Sequence, residues 1–333
     1  MRINRKLLLL IGILIIIVSF NLFALFHSYR FTHPVKERVY EYKGYKGLQK
    51  IEVTVFGIPP LRSNINHTPS NFGLTYYNVS LATSDNIRLH AWLIPSNNTR
   101  DIILLAHGYG GNKASLLKYA AFLNKNNYSL LLLDLRAHGL SEGSFTSLGY
   151  YEEKDIESAI IFLKSQNFQN IGAFGYSMGG ASLLSYLTQN KGIDAIVIVG
   201  VYNNLYDAVA RRVNLAYHLP KFPFATALVF YGGILLDFNA FELSPEKFVS
   251  NVNIPILVIS NEDYNLIISS EITAPKLIDK EDYTHKMEDA LKICKNANNP
   301  KEIFIVEKST SSKEYEGRII EFFDEYLKNK LKE

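Results

Sequence analysis

Six stretches of this 333-residue chain are apolar throughout and of strand length: "IILLA" (102–106), "YSLLLLD" (128–134), "NIGAF" (170–174), "AIVIVG" (195–200), "IPILVIS" (254–260) and "EIFIV" (302–306). A strand with one face in water alternates apolar and polar residues, whereas a strand apolar on both faces needs cover on both. Helix-length segments separate the runs, near 113–125, 150–165, 178–190, 286–297 and 315–328. Strand and helix in alternation, with both sheet faces apolar, imply an α/β fold with a doubly wound, mostly parallel sheet. Upstream, "LTYYNVSLAT" and "IRLHAWLIP" flank the turn-like "SDN", which predicts an antiparallel hairpin. The longest gap between strands, about 201–250, holds the apolar "FPFATALVFYGGILL". That run is short for a bilayer crossing, so a small helical lid over the strand ends is expected, with a membrane-contacting surface as the sharper reading.

A second apolar run, Leu7 to Phe26, opens the chain behind Arg2, Arg5 and Lys6. About 20 residues at ~1.5 Å each cover the roughly 30 Å hydrocarbon core of a bilayer. A cleavable leader has a shorter apolar region and small residues at its cut site, where this chain has Phe23, Leu25, Phe26 and Tyr29. Residues 1–30 therefore read as a single-pass, uncleaved anchor. The basic residues before the run favour a body outside the cytoplasm, although Arg30, Lys36 and Arg38 blunt the asymmetry. Glycosylation sequons at Asn66, Asn78, Asn97 and Asn127 suit that side but weigh little in an asparagine-rich chain. Residues 31–72, with Pro59, Pro60 and Pro69, read as a connecting arm, and 73–330 as the folded domain.

Composition narrows the partners. A net charge of +3, with no basic cluster interleaved with aromatics, points away from nucleic acid. Cys294 is the only cysteine, and no His, Cys and carboxylate grouping has ligand spacing, so neither a metal nor another cofactor is expected. The expected partners are the bilayer, through the N-terminal helix, and a small-molecule, lipid or peptide substrate.

The chemistry is concentrated in three turns. Ser177 stands in Gly175-Tyr176-Ser177-Met178-Gly179, directly after a strand pattern and before a helix pattern. So sharp a turn leaves no room for side chains two positions either side of the serine, and it projects the hydroxyl from the sheet edge. The helix start puts the Met178 amide where an oxyanion would form. The strand 102–106 runs into "HGYGGN", whose Tyr109 would supply the second oxyanion amide. The next strand runs into "LDLRAHGLSEG" (133–143).

Together these turns resemble the α/β-hydrolase superfamily over residues 73–328, and "FGLTYYNVSLATSDNIRLHAWLIP" and "LSPEKFVSNVNIPILVIS" resemble its BEM46-like, serine aminopeptidase-like branch. That branch carries D-x-R-G-H-G-x-S-x-G after its fourth strand. Asp134, Arg136, His138, Gly139, Ser141 and Gly143 match it, while Ala137 replaces a glycine. The resemblance implies a structural role for this loop, with His138 and His107 fixing loops rather than acting as bases.

The resemblance also implies an acid after "IPILVIS" and a histidine after the last strand, since a serine hydroxyl needs an oriented base. The acid position falls on Tyr264, leaving Asp263, one residue early, as the candidate acid. No histidine follows His285, and Ser311 falls near the expected histidine position. His285, beside Asp282 in an additional segment spanning 266–285, and His218 in the lid are the surrogate bases to consider. Two functions stay open. One is a membrane-anchored serine hydrolase of ester, thioester, amide or peptide bonds, and the other is a pseudo-hydrolase that binds or scaffolds at the membrane surface.

Overall fold

A computed structural model of the chain describes residues 5–35, 57, 59–96, 99–260, 280–307 and 309–328, with backbone only at 216 and 280–286. Eight strands form one sheet: β1 (Tyr77–Ala82), β2 (Arg88–Ile94), β3 (Asp101–Ala106), β4 (Ser129–Leu133), β5 (Asn170–Tyr176), β6 (Ala195–Val199), β7 (Ile256–Ser260) and β8 (Lys301–Ile305). Their spatial order is β1-β2-β4-β3-β5-β6-β7-β8. The expected hairpin is β1–β2, which pairs antiparallel to β4, and every later neighbour is parallel.

The apolar runs became parallel strands because each serves two cores. In β3, Ile102, Leu104 and Ala106 point to one face and Ile103 and Leu105 to the other. The second face is covered by α2 (Leu117–Lys125) and α8 (Ser312–Phe323), through Leu117, Ala120, Ile319 and Phe322. The first is covered by α3 (Glu153–Ser165), α4 (Met178–Leu187) and α7 (Lys280–Asn296), through Ile156, Ile160, Leu184 and Ile293. The chain moves outward from β3 to β4 and then returns to place β5 on the other side of β3. Strand order reverses there, and such a sheet opens its ligand crevice at the carboxyl ends of those strands.

The gap 201–250 holds two longer helices, α5 (Leu205–Tyr217) and α6 (Thr226–Leu236). α6 has no charged residue and buries Val229, Gly233 and Leu236 toward the body.

The N-terminal run forms α1 (Arg5–Thr32), 28 residues with a mean hydropathy of 2.9 in its most apolar 18-residue window, long and apolar enough to cross a membrane. Its first half is exposed, but its second half packs on the lid. Ser28 Oγ donates to Leu228 O (2.9 Å), Tyr231 Oη donates to Asn21 Oδ1 (2.6 Å), and Phe20 meets Phe224 edge-on at 5.6 Å.

Candidate active site

Ser177 lies at the junction of β5 and α4, at the reversal point of the sheet. Its backbone has φ 50° and ψ −113°, a region that L-residues rarely occupy, and its N–H donates to Val199 O (2.8 Å). Strain of this kind costs roughly 1–3 kcal/mol and persists only where the surroundings enforce it. The enforcing contacts explain the flanking glycines. A methyl on Gly175 would stand 2.5 Å from Gly180 Cα, and one on Gly179 would overlap the carbonyl of Ala106 at the end of β3. The helix start and two strand ends are thus in backbone contact, which tips the half-buried serine outward.

Met178 is buried at the first position of α4, where a helix leaves its amide without an intrahelical acceptor. The turn His107–Gly111 runs beside it. A methyl on Gly108 would lie 3.4 Å from Ser177 Cβ and 3.1 Å from the Tyr176 ring. This sets the turn that bears Tyr109 against Ser177, next to Met178, the other residue read as an amide donor.

His107 and His138 are both fully buried, with ring centroids 5.1 Å apart. His107 Nδ1 donates to Gly108 O (2.8 Å) while its Nε2 accepts from the Leu135 amide (3.2 Å). His138 Nδ1 donates to Arg136 O (2.8 Å) while its Nε2 accepts from the Gly110 amide (3.1 Å). A carbonyl only accepts, so each proton sits on Nδ1 and each free lone pair is already used. Burial holds the His107 imidazole down to about 4, with the Lys113 charge acting in the same direction, and burial lowers His138 as well, helped by the charge of His107. Both rings brace the two loops, as the resemblance implied.

The 134–143 loop is built around buried charge. Asp134 accepts from the amides of Lys113 (2.7 Å) and Leu140 (2.9 Å) and pairs with the buried Lys113 ammonium. Arg136 is 1% exposed and makes three hydrogen bonds of 2.8–2.9 Å to Asp155, then reaches Asp85 at 2.9 and 3.1 Å. Ala137, where the related branch has glycine, adopts φ 60°, so the left-handed turn is retained at the expense of some strain.

The residues around Tyr109 and Met178, namely Phe31, Arg212, Thr146 and Glu152, carried no sequence signal. Tyr109 Oη donates to Phe31 O (2.6 Å) in the last turn of α1, its ring stacks on Phe31 at 5.4 Å, and the Arg212 guanidinium lies over both rings at 5.2 and 5.4 Å. The Thr146 amide donates to Thr32 O (2.8 Å), and the Thr146 hydroxyl lies between the buried Glu152 carboxylate (2.7 Å) and Met178 Sδ (3.3 Å).

The acid and base candidates are mostly outside this picture. Asp263 and residues 266–279 lie outside the described residues, as does the side chain of His285, although its backbone belongs to α7. His218 ends α5 in a left-handed turn with its ring exposed. Among the described residues, no histidine is hydrogen-bonded to Ser177 Oγ. Ser311, near the position of the expected histidine, caps α8 by accepting from the Glu314 amide (3.2 Å). Its S-x-x-E spacing is a cap signature legible in the sequence.

Residues 97–221 match the model of the serine aminopeptidase S33 family. The chain is 28% identical over 178 residues to the uncharacterized protein YqkD of Bacillus subtilis, covering 52% of this chain and 58% of that protein. It is 27% identical over 144 residues to an uncharacterized membrane protein of Saccharomyces cerevisiae, YNL320W, covering 41% of this chain and 50% of that protein. The chain thus spans less than two thirds of the length of these relatives. An esterase of Pyrococcus furiosus shares the fold, with a TM-score of 0.60, 23% identity, and coverage of 80% of this chain and 97% of the esterase.

Proposed function

We infer that this chain, a member of the α/β-hydrolase superfamily whose residues 97–221 match the serine aminopeptidase model, is a membrane-anchored serine hydrolase with Ser177 as its nucleophile. One observation carries the reading: Ser177 is held at φ 50° at the reversal point of the sheet, between the Met178 amide and the turn bearing Tyr109. Retained strain at an exposed edge is the mark of a site under functional constraint. In the reaction the Ser177 oxygen adds to the carbonyl of an ester, thioester, amide or peptide, and the amides of Tyr109 and Met178 receive the developing oxyanion. Asp263 and His285 are the acid and base proposed to complete the relay. The P. furiosus neighbour is an esterase, which favours an ester among these substrates. Anchoring through α1 rests on its length and apolarity, and a relative is described as a membrane protein. A body outside the cytoplasm is proposed from the basic residues ahead of the run, an asymmetry that Arg30, Lys36 and Arg38 blunt.

Use of the fold purely as a binding scaffold draws support from the histidines: none follows His285 in the sequence, and none is hydrogen-bonded to Ser177 among the described residues. Labelling of the full chain in detergent with a fluorophosphonate separates the two. Labelling of wild type that disappears in Ser177→Ala is expected, and its absence from folded wild type would overturn the hydrolase reading. Loss of labelling in His285→Ala is the expected sign of the base.

A further inference from the structure

We propose that the lid helix α6 lies with α1 inside one leaflet of the bilayer, and that the crevice between them receives the acyl chain of a membrane lipid. The inference rests on the hydrolase reading for the use of the chain, and on α1 as the span for its place. If Leu7 to Phe26 crosses the hydrocarbon core, Asn21 lies five residues inside its boundary, about 7 Å deep at ~1.5 Å per residue. Tyr231 of α6 hydrogen-bonds to that asparagine, and Phe224 packs on Phe20 one residue deeper. The lid is therefore tied to α1 inside the hydrocarbon boundary, at about the depth of Asn21.

The outer surface of α6 fits that place. Phe230 and Ile234 are 52% and 58% exposed, and Phe222 just before the helix is 75% exposed. A helix at a protein–water surface keeps a polar face, whereas α6 is apolar all round with no charged residue. Asn21 and Tyr231 satisfy each other, as polar side chains must inside an apolar phase.

The inner surface supplies the binding site. Phe31 of α1, Leu148, Val209 of α5, and Leu228, Val229 and Leu236 of α6 line an apolar crevice that is narrow as it stands and open at its mouth. Phe31 forms its wall toward the catalytic turn and stacks on Tyr109. An acyl chain in the crevice would therefore end against Phe31, one ring away from Tyr109, and the matching ligand class is a long-chain acyl ester.

The test reconstitutes the full chain in phosphatidylcholine vesicles carrying a mid-chain diazirine, followed by irradiation and mapping of the labelled residues. Labels are expected in α1 between 7 and 19, on Phe230 and Ile234, and on the body side of the crevice at Leu148 and Val209. A methyl on Gly232 meets nothing within 4 Å, so Gly232→Phe can grow into the crevice. It should lower labelling of Leu148 and Val209 at least about fivefold while leaving α1 unchanged, and Gly232→Ala should leave both as in wild type. Label in α1 without label in 222–238 and the crevice overturns the proposal and leaves the anchor standing. Absence of label from α1 as well overturns both. None of these readouts involves Ser177, so the fluorophosphonate result stands or falls separately.

Discussion

Tyr109 Oη donates a 2.6 Å hydrogen bond to Phe31 O, across 78 positions of sequence. The turn beside Ser177 is thereby fastened to the last turn of α1, the helix long and apolar enough to cross a membrane.

Tyr109→Phe removes this bond and keeps the ring stack and the Tyr109 backbone amide. A net loss of about 0.5–1.5 kcal/mol is expected from denaturant unfolding. Hydrogen exchange should quicken both in 108–112 and in 28–33, and unchanged exchange at the end of α1 would show that the tether does not couple the two.

Gly179→Ala sets a methyl against the carbonyl of Ala106, where only backbone movement can make room. Destabilisation of about 3 kcal/mol or more is expected, together with loss of fluorophosphonate labelling, because the nucleophile turn itself must shift. Gly317→Ala in α8 meets nothing within 4 Å and should instead stabilise by about 0.5–1 kcal/mol. Similar thermal shifts for the two variants would refute the crowding argument.

His107 is lowered by burial to about 4, against 6.5 when unfolded. Between these values the unfolded chain binds the proton and the folded one does not, so this residue's contribution is full above pH 6.5 and declines as pH falls toward 4. The loss amounts to about 3 kcal/mol at most, from roughly 1.36 kcal/mol per pH unit. Asp155 and Asp289, pushed up by burial to about 7 and about 6, titrate with the opposite sign in the same range. The decisive measurement is thus the difference in pH slope between wild type and His107→Gln. A shallower decline with acid is expected in the variant, and identical slopes would contradict it.

Arg136→Met strips the buried Asp155 of its partner, and a cost of about 3–5 kcal/mol is expected. Asp155→Asn added to that variant keeps an acceptor for the Arg136 amide and removes the stranded charge. The double variant should recover at least about 1 kcal/mol over Arg136→Met, whereas strictly additive losses in a double-mutant cycle would mean that the two do not act as a pair.

Much of this molecule is legible in its amino-acid order. The six apolar runs, of strand length and separated by helix-length segments, read as strands covered on both faces, and "IILLA" splits its residues between the two cores in alternation. "GYSMG" reads as a nucleophile turn because glycine is the only residue that fits against the Gly180 and Ala106 backbones. The roles of His107 and His138 are less legible. A buried histidine beside a glycine-rich turn spells the same whether its Nε2 faces a serine or a backbone amide, and only the Leu135 and Gly110 amides decide between them.

The N-terminal helix divides most sharply. Sequence alone determines that Leu7 to Phe26 is helical and apolar enough for a bilayer, because hydropathy and length are local properties. It does not tell lipid from protein as the neighbour of a given residue, since Phe20 and Leu22 are apolar in either case. Only the tertiary structure decides that the second half of α1 packs on the lid and on the turn beside Ser177, through Ser28 on Leu228 and Phe31 on Tyr109. Those contacts join residues 200 and 78 positions apart, and a pairing at that distance depends on how the packed sheet aims its strand ends.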